Sequence, residues 1–260
     1  MEGLFAQAEE VVSRFFRRRT EDPTRGTIEI FGERYVLVRA ASLSVGFFEL
    51  VRQLYGEERR AEADTFALNI LFDLAHALGR ADARNFHAKM RLEEPIAKLS
   101  AGPVHFAHTG WAFVEISEES TPTPGEDFYI LYDHPYSFES DAWLTARSPQ
   151  RFPVCIMNAG YSSGWCEESF GTQLVASEIL CRAKGDDACR FIMAHPSRIE
   201  ERVERYMKRE PALAKRIQGY AIPDFFARKR AEEELARSHA DLEERVRART
   251  EELAASYAER

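Results

Sequence analysis

Hydrophobic spacing divides the chain into a helix-rich first part and a strand-rich second part. Residues 4–16, LFAQAEEVVSRFF, place apolar side chains at helical intervals and predict a helix able to pack on the domain or on a partner. Arg17, Arg18 and Arg19 then read as its solvated end. TIEIFGERYVLVRA alternates on both sides of Gly32 and Glu33, the pattern of a hairpin. Helices are predicted over 43–56, with Phe47, Phe48, Leu50, Val51 and Leu54 apolar, and over 61–79. Leu68, Ile70, Leu71, Leu74 and Leu78 are the apolar positions of the second, and Gly79 is its expected stop.

From Pro103 the pattern turns to strands, WAFVEISEES and then FYILYDH, separated by the Pro- and Gly-rich TPTPGED. FESDAWL follows. PVCIMNAGYSSGWCEESFG predicts a helix, and EILCRAKGDDAC reads as a hairpin turning at KGDD and ending at Met193. Helices followed by a mostly antiparallel sheet make an α+β fold. Beyond His195-Pro196, residues 197–220 predict a charged amphipathic helix that Pro223 interrupts. The stretch 225–260 has neither Pro nor Gly, and Leu235, Leu242, Val246 and Leu253 keep one a/d seam, so a parallel dimeric coiled coil is expected. Its pattern runs to the last residue without a cap, so the helix is expected to continue beyond this chain.

The 260 residues, 45% hydrophobic and 12% aromatic, suffice for one core of roughly 200 residues with an appended element. A formal charge of −8 argues against a nucleic-acid-binding surface. No apolar run approaches the ~18 residues of a membrane span, and the N-terminus lacks a signal-peptide core. A cytoplasmic location is expected.

That compartment bears on four residues. Cys155, Glu178, Cys181 and Cys189 lie within 35 residues. If Cys181 faces Cys189 across the hairpin, the two thiols suit a disulfide or a shared metal ion. A reducing cytosol favours the metal, and zinc is the default ion for thiolates with a carboxylate. A closed four-ligand shell points to structure and not to catalysis. Glu178 and Cys181, three residues apart, fall on opposite faces of a regular strand, so a bulge or helical turn must separate them. Cys166 stands outside the set and reads as a small buried hydrophobe.

YSFESDAWL, PVCIMNAGYSSGWCEESFG and SEILCRAKGDDACRFI together resemble the 4-vinyl reductase domain. This domain is the C-terminal half of the sensor region in bacterial transcription activators that respond to phenols and toluenes. RGTIEIFGERYVLVRAASL and ALGRADARNF resemble the N-terminal half of that region. The resemblance covers 24–195, with the 4-vinyl reductase half from about 130, and E-x-x-C-x-x-x-G-x-x-x-C is its specific part. It divides the chain into an N-terminal helix at 1–23 with a possible dimer contact, a sensor domain at 24–195, a connecting helix at 196–223 and a signalling helix at 224–260.

The resemblance implies a structural zinc site of Cys155, Glu178, Cys181 and Cys189 beside an internal pocket for an aromatic effector. Phenol sensors hold the hydroxyl with a histidine after a Gly-Pro pair and a tryptophan before the S-F-E motif. Here those positions hold Phe106 and His134, and a shift of one residue returns His105 to the role. Candidate lining residues are His105, Phe106, Trp111, Tyr132, His134, Tyr136, Phe138, Tyr161 and Trp165, with Phe113 and Tyr129 also in reach. LEERVRARTEELAASYAER resembles the signalling helix of bacterial histidine kinases. The reading is a homodimeric sensory module with no catalytic residues. The competing functions are a tetrapyrrole or vinyl-reductase-related enzyme or accessory, and a haem or lipid binder on the same scaffold. No Gly-rich dinucleotide motif supports the enzyme.

Overall fold

The computed structural model describes residues 2–148, 150–217 and 224–258. It separates into two units, Met1–Ile222 and Pro223–Arg260. The larger is α+β, with helices packed on antiparallel sheets.

Helix α1 (Glu2–Phe16) buries Val12 and Phe15 at its apolar spacing. A three-stranded sheet follows, β1 (Arg19–Asp22), β2 (Thr27–Ile30) and β3 (Glu33–Tyr35), in antiparallel order β1-β2-β3. Arg19 therefore opens a strand and is not part of a helix end. The β2–β3 turn is Phe31-Gly32, whose φ values of 50° and 83° match a primed turn and the right-handed twist of its strands. The hairpin stops sooner than the alternation predicts: Val36, Leu37 and Val38 lie beyond β3 and are 75%, 79% and 53% exposed.

Short α2 (Ala40–Leu43) leads to α3 (Val45–Tyr55) and α4 (Arg60–Met90). Gly79 does not stop α4, which continues for eleven residues. Its lack of a side chain serves a helix crossing, since a Cβ there would collide with the backbone of Tyr161. The opposing helix, α7 (Ile156–Phe170), repeats the device, with Gly160 against Phe72 O and Gly164 against His76 O. Three glycines thus set backbones, and not side chains, in contact across the α4–α7 crossing.

Helix α5 (Pro95–His108) occupies a stretch where strands were expected from Pro103 onward. Pro103 sits inside it, removing one helical hydrogen bond without ending the helix. The main sheet comprises β4 (Ala112–Ile116), β5 (Tyr129–Ser137), β6 (Val175–Leu180) and β7 (Cys189–Ala194), all antiparallel in the order β4-β5-β7-β6. FESDAWL is helical, within α6 (Phe138–Thr145), and α6 and α7 interrupt the run of strands. Two helices, α8 (Ile199–Arg209) and α9 (Pro211–Ile217), replace the single one expected over 197–220, because Pro211 restarts the helix after Glu210. The interruption at Pro223 lies outside the described residues. In the second unit, α10 (Asp224–Ala258) is a 35-residue helix on which Leu235, Leu242 and Val246 are 71%, 55% and 57% exposed. No helix among the described residues is long and apolar enough to cross a membrane.

Candidate metal centre and effector cavity

The metal-ligand set is brought together by three elements. Cys155 precedes α7, Glu178 lies on β6, and Cys181 and Cys189 bracket the β6–β7 turn. The β6–β7 register shifts between Glu178 and Leu180. This bulge removes the alternation that would send Glu178 and Cys181 to opposite faces. One ligand atom from each of the four residues then lies within 4.8 Å of the others, and all four residues are buried.

The cysteines are free. Cys155 Sγ is 3.6 Å from Cys189 Sγ, far beyond a disulfide bond and near the edge of about 3.8 Å that 2.3 Å zinc–sulfur bonds give a tetrahedron. Glu178 Oε2 accepts the Cys155 N–H at 2.7 Å, while Glu178 Oε1 is buried without a hydrogen-bond partner. Cys189 Sγ accepts the Arg182 N–H at 3.4 Å. Burial drives the Glu178 carboxyl and the Cys155 and Cys181 thiols well above their ordinary values. Hydrogen bonds from those two thiols, with the Arg182 N–H assisting, pull Cys189 down. Four acids thus share one enclosed site that cannot ionise together unless a cation enters. The donor set and the orphaned carboxylate oxygen fit a thiophilic metal ion.

Next to this centre, a cavity of about 40 Å³ lies between α5, α7 and the sheet. Tyr132 and His134 of β5, Phe106 of α5, and Tyr161 and Trp165 of α7 line it. Alternation along β5 turns Tyr132 and His134 to the cavity and Asp133 to the opposite face. There Asp133 forms a two-pronged ion pair with Arg190 at 2.7 and 2.6 Å. Tyr132 OH lies 2.8 Å from Ser162 Oγ, a satisfied pair. His134 is fully buried and neither ring nitrogen has a hydrogen-bond partner. Burial lowers its pKa to about 3, so the imidazole is neutral, with one donor and one acceptor free.

The remaining candidates lie elsewhere. Phe106, and not His105, reaches the cavity wall. His105 is buried among Phe15, Phe16, Phe86 and Trp165, with Nδ1 3.3 Å from Tyr161 OH. Tyr161 OH donates to Asp82 at 2.7 Å. Trp111 stacks on Phe106 from outside the lining, with Phe138 edge-on behind it. Tyr136 is 67% and Phe113 50% exposed. Tyr129 packs beneath Arg202 of α8. Sequence reasoning missed Leu99, Gly102 and Pro103, because α5 was not expected, and the aliphatic walls Val114, Ile116, Ile130 and Met193. Cys166, expected as a buried small hydrophobe, also lines the cavity, and burial pushes its thiol up to about 12.

No protein-family model matches the chain. The transcriptional regulatory protein XylR of Pseudomonas putida is 28% identical over 192 residues, 72% of this chain and 32% of that protein. The phenol regulator MopR of Acinetobacter guillouiae is 30% identical over 136 residues, 46% of this chain and 24% of that protein. The chain thus spans about a third or less of these curated relatives. The crystal structure of the phenol-responsive sensory domain of the transcription activator PoxR with phenol superposes with a TM-score of 0.62 at 22% identity. That match covers 78% of this chain and 95% of that domain. The chain is homologous to these regulators over the matched residues and shares the fold of the sensory domain.

Proposed function

We propose that this chain is the cytoplasmic sensory module of a bacterial signalling protein and takes a small aromatic effector into the cavity between α5, α7 and the sheet. The observation that carries this reading is His134: a fully buried imidazole with both nitrogens unpartnered, in a wall where the polar groups of Tyr132, Ser162, Tyr161 and Trp165 are already paired. Leaving such a group unsatisfied costs on the order of 1–3 kcal/mol. An effector carrying one neutral hydroxyl or amino group relieves that cost. The similarity to a phenol regulator and to a phenol-responsive sensory domain supports the same class of ligand. Phe106 offers no hydrogen bond from α5, so the polar handle moves to the strand.

Cavity size supplies the switch. About 40 Å³ holds a few waters at the ~10–15 Å³ each requires, but is short of the roughly 150 Å³ that accepts benzene. A one-ring effector must therefore push the wall outward, with the unbranched side chain of Met193 the softest part. The open and collapsed cavities differ in their affinity for effector, which is what a ligand-driven shift requires. In this reading zinc, held by Cys155, Glu178, Cys181 and Cys189, fixes β6, β7 and the start of α7 around the cavity. A dimeric coil formed by α10 carries the change to an output domain, a kinase or an activator, outside this chain.

Calorimetric titration with phenol, benzene and benzoate tests the reading. Phenol binds, benzene binds more weakly, and benzoate is excluded because the lining holds no cation. His134→Phe narrows the preference for phenol over benzene by about two- to thirteenfold, the value of a hydrogen bond of ~0.5–1.5 kcal/mol. Failure of every one-ring compound to bind overturns the sensor reading.

A further inference from the structure

The turn that brings Cys181 and Cys189 together also holds the helix that follows the sheet. Asp186 lies in this turn with its side chain 4% exposed. Its Oδ2 accepts the Cys181 N–H at 2.7 Å, so the carboxylate fixes the peptide of a metal ligand. Its Oδ1 pairs with Arg216 Nε of α9 at 2.6 Å. Arg216 Nη2 donates to Gly185 O at 2.7 Å, and Lys184 Nζ donates to Arg216 O at 3.3 Å. The next residue, Ile217, is buried. One short turn therefore faces the metal ligands on one side and clasps the last turn of α9 on the other.

A lone surface ion pair would carry little. This one differs in kind. Asp186 is shielded, its two oxygens serve two different elements, and the arginine makes two directed bonds to the same turn. When α9 lifts away, Asp186 loses the cation that holds its rotamer, and the Cys181 peptide loses its anchor. When the ligands let go of a metal, the 181–189 turn loosens and α9 loses its seat.

We propose that metal retention and the seating of α9 are one coupled equilibrium, with Asp186 as the positioning residue that joins them. The inference rests on the metal reading of the four-ligand centre. It makes the centre more than a staple, because α9 is the last described element before the chain enters α10. By thermodynamic reciprocity, whatever displaces α9 weakens metal binding by the same factor that metal loss weakens the seating of α9.

The test uses the full chain loaded with zinc, and the substitutions Arg216→Gln, Asp186→Asn and both together. Two quantities are read: the rate of zinc release to a chromogenic chelator, and hydrogen exchange of peptides covering 211–217 and the main sheet. The expected result is full zinc loading and unchanged sheet protection in Arg216→Gln, with zinc release and α9 exchange each faster by about fivefold or more, the lower end for coupled sites. The double variant does no more than the stronger single one, because both act through one link. Zinc release unchanged in Arg216→Gln, or effects that multiply in the double variant, overturns the coupling while leaving the metal centre standing. A wild-type chain that takes up no zinc overturns the metal reading and the coupling with it.

Discussion

Gly160→Ala sets helix propensity against geometry at a position where the two disagree in sign. In an ordinary helix interior, alanine is favoured over glycine by ~0.8–1.0 kcal/mol. At Gly160 the new methyl would fall inside the contact shell of Phe72 O, 3.1 Å from Phe72 C and 3.2 Å from His76 N, all of them backbone atoms of α4. Backbone cannot rotate aside as a side chain can. Restoring ordinary carbon contact distances requires α7 to move off α4 by about 1 Å. Overpacking of this kind costs ~1–3 kcal/mol and more where the structure is rigid. Here Gly79 and Gly164 bring the same two helices equally close, so the displacement is felt along the whole crossing. Geometry wins, with a net loss of about 1–3 kcal/mol expected after the propensity gain. For a unit of this size that lowers Tm by ~2–4 °C per kcal/mol. Urea unfolding with zinc in excess measures it. The variant should also alter phenol binding, because Tyr161 and Trp165 travel with α7 and line the cavity. A Gly160→Ala protein as stable as the parent, or more so, refutes the close-crossing argument.

Cys181→Ala or Cys189→Ala should cost metal and fold together. Metal binding worth on the order of 10 kcal/mol is comparable to the ~5–15 kcal/mol net stability of a whole domain. Native mass spectrometry with circular dichroism checks this, and a folded, soluble, zinc-free variant contradicts the structural role. His105 gives a pH dependence of known sign. Burial lowers its folded pKa to about 3, while in the unfolded chain it titrates near 6.5. Its contribution is complete above about pH 6.5 and is lost as pH falls toward 3, by up to ~1.4 kcal/mol per unit, since only the unfolded state takes the proton. Urea midpoints between pH 7.5 and 5.5 should fall less steeply in His105→Phe than in the parent, and equal slopes refute the assignment.

The clustering of Cys155, Glu178, Cys181 and Cys189 was legible because it is local. Three of these residues fall in one turn-forming run, and the face conflict between Glu178 and Cys181 demanded the irregularity found between Glu178 and Leu180. The α+β class followed from period alone. What escaped was set by tertiary context. Gly79 reads as a stop because glycine is a poor helix former, and only the backbone of Tyr161, 82 residues away, explains why it lies inside one. Pro103 hid α5 for the same reason, since a proline inside a helix is tolerated only where packing offsets the lost bond. The cavity was half visible. Aromatic residues could be named, but simple alternation puts Tyr136 on the face of Tyr132 and His134, and only the β4–β5 register shift between Phe113 and Glu115 accompanies its 67% exposure.

His134 stands where the cavity meets the cysteine-rich turn. On β5 its Cα pairs with that of Cys189, and its ring packs 4.5 Å from Phe191 and 5.7 Å from Phe106. It therefore stands beside a candidate metal ligand on the neighbouring strand while its ring faces the cavity. Its sequence neighbour Asp133 points the other way, to Arg190, which donates to Tyr206 OH of α8 at 2.8 Å. Asp133 and Arg190 thus join β5 to α8, as Asp186 and Arg216 join the 181–189 turn to α9. Consecutive residues of a strand face opposite sides, so one stretch of β5 both lines the cavity and holds α8. The cavity and α8 are therefore separated by no more than the thickness of the sheet.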